Sequence, residues 1–91
     1  MVWSVSYTKS AAKAIRGLDP NVRSKVETAI EKLTEEPTRG KPLQLTLRGL
    51  RSWRTGDWRI VYRATQKTLE ILVIAVGHRR DVYDRLHDRL K

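Results

Sequence analysis

Two short segments of the chain place arginine and tyrosine side chains beside predicted strands. Gly-Asp-Trp-Arg-Ile-Val-Tyr runs from Gly56 to Tyr62, and Gly-His-Arg-Arg-Asp-Val-Tyr runs from Gly77 to Tyr83. An apolar run, residues 69–76, separates them. The first segment and this run are predicted to form adjacent strands, with arginines at the end or on the polar face of each. Tyr83 is predicted to lie just inside a following helix. Guanidinium groups offer a planar fork of donors that fits phosphate oxygens. Fixed cations and a phenol around one small patch are chemistry suited to a phosphodiester.

The positive charge of the chain is concentrated in its middle. The formal net charge is +9, from 19 basic and 10 acidic residues. Residues 39–63 carry seven basic residues, six of them arginine, against Asp57 alone, which gives this segment a net charge of +6. Such a patch favours nucleic acid or an acidic protein segment as a partner. A solubilising surface is the alternative interpretation of charge alone.

The apolar periodicity predicts a single domain over residues 1–91 with the element order β-α-α-β-β-β-α. Strands are predicted over residues 2–7, 50–55, 58–64 and 69–76. The first helix is capped by Thr8 or Ser10, the second starts at Asp19-Pro20 and stops at Pro37, and a short last helix starts at Arg80 or Asp81.

The predicted fold class is α+β. Alternating strand directions give a four-stranded antiparallel sheet, with the first strand antiparallel to the last and the helix hairpin packed on one face. The second face is partly open. Within the strand 58–64, Trp58 and Ile60 face the hairpin, whereas Arg59 and Arg63 point to the open face.

Several classes of site and location are not expected. The chain has no cysteine, which removes disulfides and thiolate metal sites, and it shows no acidic cluster that would hold a metal, so neither a metal nor a cofactor is predicted. The longest apolar run, Ile71 to Val76, has six residues and is too short to span a bilayer. No signal-peptide pattern is present at the N-terminus, and a cytoplasmic location without membrane contact is expected.

The two arginine segments, taken together with the rest of the chain, resemble the RelE/ParE superfamily of bacterial toxins from toxin–antitoxin operons. The similarity covers nearly the whole sequence. Its motifs are the helix hairpin ending in Glu36-Pro37, Gly-Lys-Pro-Leu (Gly40 to Leu43), Leu-Arg-Gly-Leu (Leu47 to Leu50), Arg-x-Gly-Asp-x-Arg-Ile-Val-Tyr (Arg54 to Tyr62) and Val-Gly-His-Arg-Arg-Asp-Val-Tyr (Val76 to Tyr83).

The resemblance is nearest the RelE branch and implies a ribosome-dependent, metal-independent endoribonuclease. Such toxins cut mRNA in the ribosomal A site, where the ribose 2′-OH attacks the adjacent phosphate. The phosphate-clamping arginine of the family falls on Arg59, its second arginine on Arg79 and its functional tyrosine on Tyr83. Some relatives carry two lysines on the strand before the Gly-Asp turn, whereas Arg51 and Arg54 are the cations there in this chain.

Proton transfer has two candidate groups. Tyr83 can act as a general base if nearby cations lower its pKa from about 10, and stacking, hydrogen bonding or a place in the core are its alternatives. His78 has an ordinary pKa near 6.5, which suits proton transfer at neutral pH. The residues predicted to act in catalysis are Arg54, Arg59, His78, Arg79 and Tyr83. The residues predicted to bind RNA are Arg48, Arg51, Arg63 and Arg80.

Two other functions compete on the same fold. One is a ParE-type inhibitor of DNA gyrase, and the other is a non-toxic protein that acts only as a corepressor with its antitoxin. The implied partners are a cognate RelB-like antitoxin, the ribosome and mRNA, with operator DNA reached only through the antitoxin.

Overall fold

The computed structural model describes residues 3–43 and 49–78. Two helices and five strands lie in this part of the chain. In chain order they are β1 (Ser4–Tyr7), α1 (Lys9–Arg16), α2 (Pro20–Glu35), β2 (Lys41–Pro42), β3 (Arg51–Thr55), β4 (Trp58–Thr65) and β5 (Glu70–His78). The predicted last helix, starting at Arg80 or Asp81, lies outside the described residues.

Both helices begin where the sequence predicts. The Thr8 hydroxyl accepts a hydrogen bond from the Ala11 amide at 3.0 Å and donates to the Ile74 carbonyl at 3.0 Å, so one side chain caps α1 and ties it to β5. Pro20 lies in the first turn of α2, where its missing N–H costs nothing. Within residues 3–43 and 49–78, neither helix has the length and apolar character needed to cross a bilayer.

The five strands form one sheet in the order β1-β5-β4-β3-β2. The α+β class is confirmed, but the wholly antiparallel, four-stranded sheet was wrong, because β1 is parallel to β5. The reason is the extra edge strand β2, in which Lys41 and Pro42 pair with Ser52 and Arg51. Each antiparallel step reverses the chain direction, so one additional strand makes the last strand run the same way as the first.

The core lies between the helix hairpin and one face of the sheet. In this layer α1 contacts β5 and β1, while α2 contacts β3 and β4. The buried residues of this layer are Ala11, Val26, Ala29, Ile30, Leu33, Ile60, Tyr62, Ile71, Val73 and Val76. Trp58 packs partly against them, as its alternation with Arg59 predicts.

A β-bulge explains how the apolar residues from Val73 to Val76 divide between the two faces of the sheet. The register between β4 and β5 passes from Ala75 to Val73 and skips Ile74. Val73 and Val76 are three residues apart, yet both join the helix-side core because the bulge adds a residue between them. Ile74 and Ala75 pack instead against Val61 on the other face of the sheet.

Candidate functional site

A tight turn fixes which arginines face each other. The hairpin between β3 and β4 is closed by the two-residue turn Gly56–Asp57, and Gly56 has φ +59°, the left-handed region that two-residue hairpin turns require at their first central position. Counting back from this turn, the register sets Arg54 directly opposite Arg59. The Gly-Asp dipeptide therefore positions the arginine pair.

Arg54 and Arg59 lie on the open face of the sheet. Their neighbours Trp53 and Ile60 pair with each other and pack into the helix-side core, and successive residues of a strand alternate between faces. Arg54 is exposed and Arg59 is half-buried. Directly opposed residues have Cβ atoms about 4.5–5.5 Å apart, and like charges at such positions destabilise a sheet. An anion bound by both guanidinium groups removes that repulsion, so the pair suits a phosphate.

A cleft of about 480 Å³ opens beside this pair at the β2 edge of the sheet. Four cations line it, and none of the described residues that line it is acidic. The lining residues are Arg39, Lys41, Pro42, Leu43, Ser52, Trp53, Arg54 and Arg59. The four cations give the cleft a positive charge, which suits the phosphate backbone of a nucleic-acid strand.

Arg39 reaches the cleft from the segment that precedes β2. Its Cζ atom lies 5.0 Å from the centre of the Trp53 ring, within the range of a cation–π contact. Its Nη1 atom also lies 3.4 Å from the Glu36 carboxylate, in an exposed ion pair. These two contacts hold the Arg39 guanidinium group over the half-buried Trp53 ring.

Arg51 lies on the opposite face of β3 from Arg54. It pairs with Tyr62, a core residue, and its Nη1 atom donates to the carbonyl oxygens of Gly40 at 2.8 Å and Thr38 at 3.3 Å. The structure thus separates two arginines that were predicted to act together. Arg51 anchors the segment before β2 instead of facing the cleft.

His78 ends β5 on the side of the helix hairpin. It pairs with Trp58, and the two rings meet edge to face with their centres 5.2 Å apart. Its Nε2 atom lies 4.0 Å from an Asp57 carboxylate oxygen. The residue that lies opposite Arg59 on β5 is Gly77. The strand register therefore places the predicted proton-transfer imidazole on the other face from Arg59.

Arg63 lies on the same open face as Arg59 but outside the cleft. It is exposed, it pairs with Leu72, and it follows Arg59 by four residues along β4. Four residues of strand span roughly 13 Å. Arg63 therefore lies further along this face than the arginine pair, where it can contact another phosphate of a strand that crosses the sheet.

Four predicted site residues lie outside the described residues: Arg48, Arg79, Arg80 and Tyr83. Their roles stay predictions. Within residues 3–43 and 49–78, no three His, Asp or Glu side chains gather in a way that would hold a metal ion.

Sequence reasoning missed Arg39 and Lys41 as lining residues of the cleft. Both belong to the net-positive segment 39–63, and Lys41 lies in the Gly-Lys-Pro-Leu motif, but neither is among the predicted site residues. What brings them to Arg54 is the pairing of Lys41 with Ser52, which depends on a two-residue strand that has no periodicity to detect. The available signal was the charge of the segment.

The sequence matches the profile of the family described as ParE toxin of type II toxin-antitoxin system, parDE, over residues 5–83. The chain belongs to this family of toxins. The toxin is 36% identical over 87 residues to Toxin RelG of Mycobacterium tuberculosis, covering 93% of this chain and 100% of the relative. It is 32% identical over 83 residues to Toxin RelE of the same organism, covering 89% of this chain and 86% of the relative.

The fold of the toxin is also found in a solved complex. It is similar to a chain in the crystal structure of the toxin–antitoxin complex RelBE2 from Mycobacterium tuberculosis, with a TM-score of 0.79 and 33% identity over 87% of this chain and 100% of that chain. The predicted membership of the RelE/ParE superfamily is confirmed, and the protein is a RelE-family toxin of a type II toxin–antitoxin system.

Proposed function

We propose that the toxin is a ribosome-dependent, metal-independent endoribonuclease that cuts mRNA in the A site and so inhibits translation. The observation that carries this proposal is the pairing of Arg54 with Arg59 across β3 and β4, inside a cleft that also holds Arg39 and Lys41. The similarity to Toxin RelG and Toxin RelE supports the assignment to the RelE branch.

The proposed reaction needs no group from outside the RNA as nucleophile. The 2′-oxygen forms a bond to the adjacent phosphorus, the bond from phosphorus to the 5′-oxygen breaks, and the products are a 2′,3′-cyclic phosphate and a 5′-hydroxyl. Negative charge builds on the phosphoryl oxygens during the step. Arg54 and Arg59 are held by paired strands, so they can stabilise that charge with little reorganisation, which is commonly the largest catalytic contribution.

Two proton movements accompany the step: the 2′-hydroxyl loses a proton and the leaving 5′-oxygen gains one. Arginine is a poor proton donor or acceptor because its pKa is above 12. Tyr62 is equally unsuited, because burial raises its pKa and its hydroxyl already makes two hydrogen bonds. We assign the proton movements to Tyr83, with the ribosome orienting the mRNA, since His78 lies on the helix side of the sheet.

The proposed protein partner is a RelB-like antitoxin. A chain similar to this toxin is part of a RelBE2 complex, and this toxin has a net charge of +9 with a basic cleft. An acidic or amphipathic antitoxin segment that covers the cleft would compete with RNA for the same cations. Contact with operator DNA is proposed to occur only through the antitoxin.

The test of the site is a comparison of four induced strains: wild type, Arg59→Ala, Arg54→Ala and Arg16→Ala. Arg16 is an exposed arginine at the end of α1, so its removal takes away the same charge at a distance from the cleft. Loss of one preorganised donor is expected to lower the rate of mRNA cutting about 10²–10³-fold. Primer extension on a translated mRNA and growth curves measure it. Full toxicity of Arg59→Ala would contradict the proposed site.

A second candidate is inhibition of DNA gyrase, because the matching family profile carries the ParE name. The two functions separate in purified systems. We expect the toxin to stop translation in a reconstituted reaction with mRNA 5′ ends phased to codons, and to leave supercoiling by purified gyrase unchanged. Inhibition of supercoiling at low toxin concentration, with intact mRNA, would favour the gyrase function instead.

A further inference from the structure

A buried tyrosine holds the segment that leads into β2. Tyr62 is fully buried. Its hydroxyl donates a hydrogen bond to the Pro37 carbonyl oxygen at 2.7 Å and accepts one from the Gly40 amide at 2.9 Å. One hydroxyl therefore bridges both ends of the segment from Pro37 to Gly40, which we call the clamped segment. A buried neutral phenol that both donates and accepts is fully satisfied here.

Arg51 holds the same segment from the side. Its Nη1 atom donates to the carbonyl oxygens of Gly40 at 2.8 Å and Thr38 at 3.3 Å. Hydrogen bonds with a charged donor are roughly twice as strong as neutral ones. Together, Tyr62 and Arg51 make four hydrogen bonds to the backbone of the four-residue clamped segment.

Gly40 allows this close approach. A Cβ atom placed on Gly40 would lie 2.6 Å from the Tyr62 hydroxyl oxygen and 2.8 Å from the Ser52 carbonyl oxygen, closer than real side chains come. Only glycine lets the backbone lie directly on the tyrosine. The residues on either side of Gly40 are Arg39 and Lys41, and both line the cleft that holds Arg54 and Arg59.

The clamp therefore fixes the backbone that carries Arg39 and leads directly into Lys41 of β2. Immobilising a flexible side chain on binding costs conformational entropy, and a backbone ordered in advance lowers the total cost of association. Arg39 is further oriented by Trp53 and Glu36 before any ligand arrives. The cleft consequently has two walls: β3 and β4 provide the arginine pair, and the clamped segment with the adjoining strand β2 provides Arg39 and Lys41.

We propose that Arg39 and Lys41 form a second phosphate subsite, which binds the phosphate of single-stranded RNA next to the one held by Arg54 and Arg59, and that Tyr62 is its positioning residue. The nature of the ligand rests on the proposed function. Two walls at one cleft suit a chain of successive phosphates better than a single isolated anion.

The probe for this subsite is a short single-stranded RNA with a 5′ fluorophore and 2′-O-methyl groups, which binds but cannot be cut. Its affinity for the purified toxin is measured by fluorescence anisotropy over a series of salt concentrations, without ribosomes. The logarithm of the binding constant falls linearly with log[salt], and removing one cation that neutralises a phosphate makes this negative slope shallower by about 0.7 for a single strand. Arg39→Ala and Lys41→Ala are each expected to make the slope shallower by about that amount.

Matched controls remove the same charges elsewhere. Arg16→Ala and Lys13→Ala change exposed residues in the last turn of α1 and leave the net charge equal to that of the cleft variants. Their slopes should equal the wild-type slope. If Arg39→Ala and Lys41→Ala behave like these controls while Arg59→Ala binds weakly, the second subsite is overturned and the proposed function stands. If Arg59→Ala also binds like wild type, the proposed site itself fails.

The positioning role of Tyr62 is tested by coupling. Tyr62→Phe keeps the ring and removes both hydrogen bonds, and thermal unfolding with near-ultraviolet circular dichroism reports whether the variant folds. In this background the loss of affinity caused by Arg39→Ala should be smaller than in wild type, since a released segment no longer presents this side chain. Equal losses in both backgrounds would show that Tyr62 only supports the fold and would overturn its positioning role.

Discussion

At the scale of single residues, the hydroxyl of Tyr62 depends on its proton. Burial is the main cause that raises its pKa above the ordinary value of 10.0, while the Gly40 amide and the Arg51 guanidinium act in the opposite direction. A phenolate could still accept from Gly40 but could no longer donate to the Pro37 carbonyl. The neutral form is therefore the form that the folded state selects.

This selection predicts an alkaline loss of stability. A pKa raised on folding contributes stability that is complete below the unfolded value of 10.0 and is lost as pH rises through the folded pKa. We expect the free energy of unfolding of wild type to fall above pH 10 more steeply than that of Tyr62→Phe. At neutral pH the variant should be about 1–3 kcal/mol less stable, because two buried backbone groups lose their partner.

Urea denaturation of both proteins between neutral pH and pH 11 checks this. Tyr7, whose pKa is also raised by burial and by Glu27, is present in both proteins, so its contribution cancels in the difference. Parallel stability curves for wild type and Tyr62→Phe would show that the Tyr62 proton does not matter to folding.

The residue scale also shows what alternation in a strand can and cannot predict. The placement of Arg59 and Arg63 on the open face followed from their spacing of four within β4 and agrees with the structure. Arg51 and Arg54 are separated by three, and an odd spacing in a regular strand puts two residues on opposite faces. That rule was available from the sequence alone and would have separated Arg51 from the cleft.

At the scale of elements, the edge strand β2 decides both the topology and the shape of the cleft. Its two residues are too few to show a period of two, and Pro42 argued for a loop or an extended edge. A prediction that omits β2 makes β1 antiparallel to β5, whereas a prediction that includes β2 makes the two strands parallel, as the structure shows. Helices α1 and α2 and the three longer strands were predicted within a few residues because their periodicity and caps are local signals.

At the end of the clamped segment, Gly40 has no room for a side chain. Gly40→Ala would push a methyl group against the Tyr62 hydroxyl and the Ser52 carbonyl, and overpacking of this kind typically costs about 1–3 kcal/mol. Gly17→Ala is the matched control, since Gly17 has a helical conformation and the nearest atom to an added Cβ is 3.6 Å away.

Thermal unfolding of the two alanine variants side by side checks this expectation. Gly17→Ala should be neutral or about 0.4–1 kcal/mol more stable, because alanine restricts the unfolded chain. Gly40→Ala should unfold at a lower temperature and bind the RNA probe more weakly. Equal melting temperatures for the two variants would show that the segment before β2 can move to accept a methyl group at Gly40 without a loss of stability.

At the scale of the whole molecule, a net charge of +9 on 91 residues opposes folding through self-repulsion. Four of the described cations share one cleft, where they repel one another. A small domain has a thin core to set against this cost. The folded toxin should therefore gain stability from any anion that binds the cleft, and an antitoxin segment or an RNA strand would act in the same way by mass action.

Inorganic phosphate tests this with the simplest ligand of the right chemistry. At equal ionic strength, phosphate should raise the melting temperature of wild type more than chloride does. Phosphate at about ten times its Kd adds about 1.4 kcal/mol, and in a domain of 60–100 residues each kcal/mol shifts the melting temperature by roughly 4–8 °C.

The control for this measurement must remove a general effect of the anion. Phosphate strengthens apolar burial in any protein, because it is excluded from protein surfaces. The variant Arg54→Ala/Arg59→Ala retains that general effect but lacks the arginine pair, so the difference between wild type and variant isolates binding at the cleft. An equal phosphate effect in both proteins would mean that the paired arginines do not bind phosphate on their own.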